Sequence, residues 1–260
     1  MPMKVAIVGL QKQALANYIR RHHRRDFTLV KTKPEFVLCY GGDGTLLFAE
    51  QHYSGVPKVM IRQSRVCPAC AEANRTTIMN LLAQGHYSLT ELPILETTVH
   101  GKTIYGINDI LVAHGNINTG LRYRLYLNGE NYGGGLLGDG VIVATPLGST
   151  GYFQSVTRST FQYGIGVALN NTIFMINHVV LPADTIVKVK IDRGPALVTA
   201  DNAKAIIALK TGETLTIKQS HRSTYIVFFS GKEYGQYNLG IGKTRVALGF
   251  CQGCSQSLEV

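Results

Sequence analysis

At 260 residues, 45% hydrophobic and 16% charged, the chain can fill one large or two medium domains with ample core, which excludes a disordered protein. No run approaches the roughly 18 apolar residues of a membrane helix. The opening MPMKVAIVGL lacks the basic lead and cleavage site of a signal peptide, so a cytoplasmic, non-membrane protein is expected.

In chain order, Val5 to Val8 reads as a short buried strand. Gln11 to about His22 reads as a helix with Leu15, Tyr18 and Ile19 on one face. The formal charge of +10 points to anionic partners, and its densest run is Arg20-Arg21-His22-His23-Arg24-Arg25. With no aromatic residue among those charges, the run reads as a solvated helix end favoured by the helix dipole rather than a nucleic-acid surface. Phe27 to Val30 and Phe36 to Tyr40 predict strands, Thr45 to about Tyr53 a helix, Val56 to Ile61 a strand and Ala71 to Gln84 a helix. Such alternation predicts an α/β N-terminal domain, residues 1–92, with a Rossmann-like parallel sheet.

After about Pro93 the rhythm changes. Ile104 to Ala113, Arg122 to Leu127, Val141 to Ala144, His178 to Leu181, Ile186 to Ile191, Ala196 to Ala200, Ala205 to Leu209, Thr214 to Lys218 and Thr224 to Phe229 follow as short runs. Turn residues such as Asn128-Gly129 and Arg193-Gly194-Pro195 separate them. A β-rich, mostly antiparallel domain over residues 93–230 is expected. The glycine-rich tail, residues 231–260, is expected to pack back on the first domain.

Cys39 sits in an apolar run and reads as a buried small hydrophobe. The other cysteines form two CxxC pairs, Cys67 with Cys70 and Cys251 with Cys254. Structural zinc, one local disulfide per pair and ordinary thiols all remain open for them.

The chemistry concentrates in three blocks. Gly41-Gly42-Asp43-Gly44-Thr45 lies between a predicted strand and a predicted helix. Glycines there let phosphate oxygens approach the backbone amides. A carboxylate would repel phosphate, so Asp43 is present for a proton or a cation. An Asp-Gly turn capping a helix is the plainer alternative. No Walker lysine follows. The second block, Gly138-Asp139-Gly140 through Thr145-Pro146-Leu147-Gly148-Ser149-Thr150-Gly151-Tyr152, is a strand entering a turn rich in hydroxyls and glycine, suited to ribose, amide and base contacts. The third is Gly106-Ile107-Asn108-Asp109, which alone would read as a turn.

Gly-Gly-Asp-Gly resembles the loop of a superfamily holding NAD kinases, lipid kinases and 6-phosphofructokinases, all phosphoryl transferases. The second block closely resembles the D-G-x-x-x-x-T-P-T-G-S-T-A-Y signature of NAD kinases, with Leu147 for threonine and Gly151 for alanine. The third resembles that family's Asn-Glu element, with Asp109 for glutamate, and Thr199-Ala200-Asp201-Asn202 resembles its late aspartate element more weakly. The resemblance to the NAD kinase family implies phosphoryl transfer from ATP or polyphosphate, with magnesium, to the 2′-hydroxyl of NAD. Asp43 would be the catalytic base, with Gly42, Gly44 and Thr45 at the phosphates. Asn108 and Asp109 would hold the adenosine, with Ser149, Thr150, Gly151, Tyr152 and Ser155 lining the cleft. Asp139 would orient this loop or help hold the nicotinamide end, and Asp201 would lie near that end or simply form a hairpin turn. A homodimer or homotetramer is implied too.

The chain departs from the family pattern. Phe48 stands where a basic residue is usual, Arg62 to Cys70 replaces a glycine-rich element, and Ser155 to Gly166 replaces a Gly-Gly-Pro stretch. Arg62 or Arg65 is the candidate to supply the missing positive charge. A diacylglycerol-type lipid kinase using the same glycine loop, a non-catalytic NAD(P)-binding module and a metal-dependent RNA-binding protein are the competing readings.

Overall fold

The computed structural model describes residues 1–62 and 68–229, with 68–74 followed through the backbone alone. The CxxC side chains, Cys67, Cys70, Cys251 and Cys254, together with Arg65 and the tail 231–260, lie outside the described residues. Among the described residues no helix is long and apolar enough to cross a membrane. The described chain divides into two compact units, residues 1–91 with 224–229, and residues 92–223.

The first unit runs β1 (Met3–Val8), α1 (Lys12–His22), β2 (Phe27–Leu29), β3 (Phe36–Tyr40), α2 (Asp43–His52), β4 (Lys58–Ile61) and α3 (Pro68–Ala83). Its strands lie in the order β2-β1-β3-β4, all parallel. Every residue of β3 and β4 is buried, as parallel strands covered on both faces must be. Leu15 and Ile19 of α1 and Ile78, Met79 and Leu82 of α3 pack with Val5, Leu38, Val59 and Ile61. Beyond the carboxyl end of β1, Gly9 adopts a φ of 130°, and a Cβ there would sit 2.1 Å from the Tyr40 carbonyl oxygen. Only glycine lets the chain turn so close to the end of β3.

The second unit adds β5 (Ser88–Val99), β6 (Lys102–Gly106), β7 (Asp109–His114), β8 (Leu121–Leu127), β9 (Glu130–Gly138), β10 (Gly140–Ala144), α4 (Tyr152–Thr157), β11 (Ile165–Asn170), β12 (His178–Leu181), β13 (Val187–Arg193), β14 (Ala196–Ala200), β15 (Ile207–Leu209) and β16 (Thr214–Phe228). One sheet is six-stranded, in the order β12-β11-β10-β7-β14-β15, and every pairing in it is antiparallel. A second set runs β16-β13-β8-β9, again antiparallel. Alternate residues of both, among them Val112, Val141, Tyr123, Leu125, Val187 and Leu215, form one shared core. The strand β10 is buried on both faces. Val141 and Val143 enter that core, whereas Ile142 and Ala144 pack with Phe153 of α4.

The last strand, β16, leaves the second unit at Ser223, and its end lies parallel to β4 with Ile226 opposite Lys58. Lys58, wholly buried, forms an ion pair with Glu50 of α2 and lies 3.4 Å from the Thr224 hydroxyl, which donates to the Glu50 carboxylate at 2.5 Å. Burial lowers the Lys58 pKa, and the Glu50 contact opposes that shift. Beside them Cys39 is a buried thiol whose pKa burial pushes up to about 12.

The α/β unit with its parallel sheet and the antiparallel β unit are the expected fold class. Several elements differ in detail. The run Ile104 to Ala113 is two strands, because the chain turns at Ile107 and Asn108. The separate runs Thr214 to Lys218 and Thr224 to Phe229 are one strand. Its polar middle stays within the strand, and Ser220 there donates to Glu96 at 2.6 Å. The strands β9 and β11 and the helix α4 carried no clear periodic signal.

Candidate active site

The helix α2 begins at Asp43, not at Thr45, with an extended Gly42 as its cap. Asp43 therefore occupies the first turn, where a carboxylate is favoured by the helix dipole. Thr45 N–H donates to the Gly42 carbonyl at 2.9 Å, closing that turn. Arg62, just past β4, donates from Nη2 to Asp43 Oδ1 at 2.8 Å. The pair remains open to solvent, Arg62 at 50% and Asp43 at 68% exposure. Arg62, not a residue on α2, thus faces the carboxylate with positive charge. At the position where a basic residue is usual, Phe48 instead stacks on His52 at 3.9 Å. Gly42 and Gly44 are exposed at the same helix start, a position that favours anions.

The second unit gathers the other candidates around the turn between β6 and β7. Asn108 is half-buried and Asp109 buried. Thr145, at the end of β10, donates from its hydroxyl to the Ile107 carbonyl at 2.6 Å and from its N–H to the Asn108 carbonyl at 2.8 Å. The next turn then lies against Asn108 so tightly that a Cβ on Gly148 would sit 1.9 Å from the Asn108 carbonyl oxygen. Gly151 is also beside Asn108, 3.9 Å from its side-chain amide by the same construction. The two blocks are therefore one surface built on adjacent antiparallel strands, with Ala144 paired to Asp109.

Individual side chains divide by exposure. Ser149 is fully buried and donates to the Pro146 and Phe161 carbonyls, so it braces the turn from inside. Thr150 donates to Leu147 at 3.3 Å. Tyr152 presents its ring at 41% exposure and accepts from Asn170 at 2.9 Å. Ser155 is exposed and donates to the Tyr152 carbonyl. The Asp139 carboxylate accepts from Asn171 at 3.1 Å. Asn170 and Asn171, which sequence reasoning passed over, thereby fasten both Tyr152 and Asp139 to the end of β11. Their only signal was a paired asparagine at a strand end, where Asn171 takes a φ of 47°.

Asp201, after β14, directs its carboxylate at the backbone N–H groups of Ile107, Asn108 and Asp109, at 2.9, 2.8 and 3.1 Å. Burial, and secondarily the Asp201 charge, pushes the Asp109 carboxyl up to about 7. Near neutral pH it can therefore accept or donate a hydrogen bond. Among the described residues no cluster of three or more His, Cys, Asp or Glu is gathered to hold a metal ion.

Residues 107–229 match the ATP-NAD kinase C-terminal domain. The chain is 28% identical over 217 residues to an NAD kinase of Natranaerobius thermophilus, covering 78% of this chain and 75% of the relative. It is 24% identical over 248 residues to one of Saccharolobus islandicus, covering 87% and 94%. In three dimensions it resembles an NAD kinase from Archaeoglobus fulgidus in complex with ATP, with a TM-score of 0.69, 18% identity and coverage of 89% and 95%. It likewise resembles yeast NADH kinase complexed with NADH, with a TM-score of 0.75, 13% identity and coverage of 95% and 90%. The structural likenesses give the fold. The matched domain and the sequence relatives make the chain similar to NAD kinases.

Proposed function

We propose that this protein transfers a phosphoryl group from ATP or polyphosphate to the 2′-hydroxyl of the adenosine ribose of NAD, making NADP. The observation that carries the reading is the joining of Asn108 and Asp109 to the Thr145–Tyr152 turn within the matched domain. An amide, a carboxyl near its titration point and an exposed aromatic ring on one surface suit a purine nucleoside.

Phosphoryl transfer asks the protein for positioning and charge neutralisation more than for covalent chemistry. Asp43 would accept the proton of the 2′-hydroxyl, and Arg62 would hold its carboxylate in place. The start of α2, with Gly42, Gly44 and Thr45, would receive phosphate oxygens. Asn108, Asp109, Thr150, Tyr152 and Ser155 would hold the adenosine and ribose. Ser149 and Gly151 would shape the turn, and Asp139 would orient it through Asn171. A magnesium ion would be carried on the donor's own phosphates. There it would offset their charge. The protein would work in the cytoplasm as a homodimer or homotetramer.

The test is a coupled assay for NADP formation, run with ATP and with polyphosphate in turn. NADP from either donor supports the reading. Tight NADP binding with no turnover from either donor would overturn it.

A further inference from the structure

Asp201 stands in a left-handed conformation, φ 50°, at the end of β14. Three successive N–H groups converge on its carboxylate, Ile107 on one oxygen, Asn108 and Asp109 on the other. Its own N–H returns to the Asp109 carbonyl at 3.0 Å. Successive N–H groups turned one way form a concavity for an anion, and here the chain's own carboxylate fills it. On their other side the same residues are fixed by Thr145 and Gly148.

We propose that Asp201 is a positioning residue and not a ligand of the nicotinamide end. It clamps the backbone of residues 107–109 and so sets where the Asn108 and Asp109 side chains meet the adenosine. This rests on the functional reading above. An ionised carboxylate offers about four acceptor directions. Three are taken by the clamp, so turning Asp201 to a substrate would release the loop that holds that substrate. The clamp also acts on Asp109, which lies beside Ala144 of β10, while Ile110 pairs with Ala200 of β14. Asp201 is the charged group set against it.

The experiment is Asp201→Asn, read by the binding of NAD and of ADP-ribose, which lacks the nicotinamide. An amide retains an acceptor but turns a donor toward an N–H, so affinity should fall about tenfold or more, as for loss of charge-assisted bonds. The loss should be equal for the two ligands, and kcat should fall by less than affinity does. The Asp109 titration in the NAD-binding pH profile should move to lower pH, which a merely structural lesion would not cause. A loss confined to NAD would overturn the clamp in favour of a direct nicotinamide contact, and unchanged affinities would overturn it outright. If the variant does not fold, amide hydrogen exchange on the wild-type protein decides. The amides of residues 107–109 should be slow in the free protein and stay slow with NAD, and loss of protection on binding would refute the proposal. Failure of the wild-type protein to bind NAD would instead overturn the functional reading, and with it any positioning role toward adenosine.

Discussion

Gly148→Ala probes the junction on which the proposed nucleotide surface depends. The added Cβ would lie 1.9 Å from the Asn108 carbonyl oxygen and 2.7 Å from its Cα, whereas real Cβ contacts essentially never fall under 3.0 Å. The obstacle is backbone, so no rotamer change relieves it. Either the turn after β10 or the Asn108 loop must move by about 1 Å, at the roughly 1–3 kcal/mol typical of overpacking. The two Thr145 bonds to Ile107 and Asn108 span the same gap and would stretch with it. A misplacement of about 1 Å can cost ~10²-fold in a positioned reaction, so NAD affinity or kcat/KM should fall by about that factor. The assay is NAD titration and steady-state kinetics beside a thermal melt, with Gly135→Ala as the control, since a Cβ at Gly135 meets nothing within 4 Å. A Gly148→Ala protein with wild-type melting temperature and wild-type NAD affinity would refute the close packing of the two blocks.

Three other outcomes follow from the geometry. Asp43→Asn should lower kcat by ~10²–10⁴, about 3–5 kcal/mol of barrier. Its unfolding free energy should change by less than about 1 kcal/mol, because the Arg62 pair is solvent-exposed; activity within a few-fold of wild type would remove Asp43 from the role. The raised Asp109 carboxyl keeps its proton in the folded state between pH 4 and pH 7, where the unfolded chain has released it. Wild-type stability should therefore decline as pH rises through that window and level off above about 7, while Asp109→Asn lacks the decline. The gap between the two should reach at most about 4 kcal/mol in denaturant titrations, and parallel pH curves would exclude the shift. Lys58→Met should destabilise by about 3–5 kcal/mol, since it leaves Glu50 buried without its partner. Adding Glu50→Gln should recover most of that loss in the same measurement, and a double variant no better than the single would refute the pairing argument.

What could be read in advance follows from how local each signal is. The strand Phe36–Tyr40 and helix α1 carry their burial pattern within their own residues, and Asn128-Gly129 carries its own turn, with φ of 50° and 92°. By contrast β9 reads ENYGGGLLG, too rich in glycine for strand periodicity, and becomes a strand because β8 pairs with it. Lys58 in a fully buried strand contradicts any local rule, and Glu50 on the preceding helix and Thr224, 166 positions on, make it tenable. The same holds at the site. Asn108, Asp109 and the Thr145–Tyr152 turn stood out by type and spacing, whereas Asp201 as a backbone clamp depends on a contact spanning more than ninety positions. Ser149, one hydroxyl among several in the turn, faces inward for reasons set by Phe161.

Because the closing strand serves both units, no cut in a linker would yield two self-sufficient fragments. A truncated protein ending near residue 92 would lack the strand beside β4 and expose the edge where Ile226 pairs with Lys58. It would also deprive the Glu50–Lys58 pair of the Thr224 hydroxyl. Fragment complementation, adding a peptide that spans residues 214–229, would then be the route to restoring the amino-terminal unit.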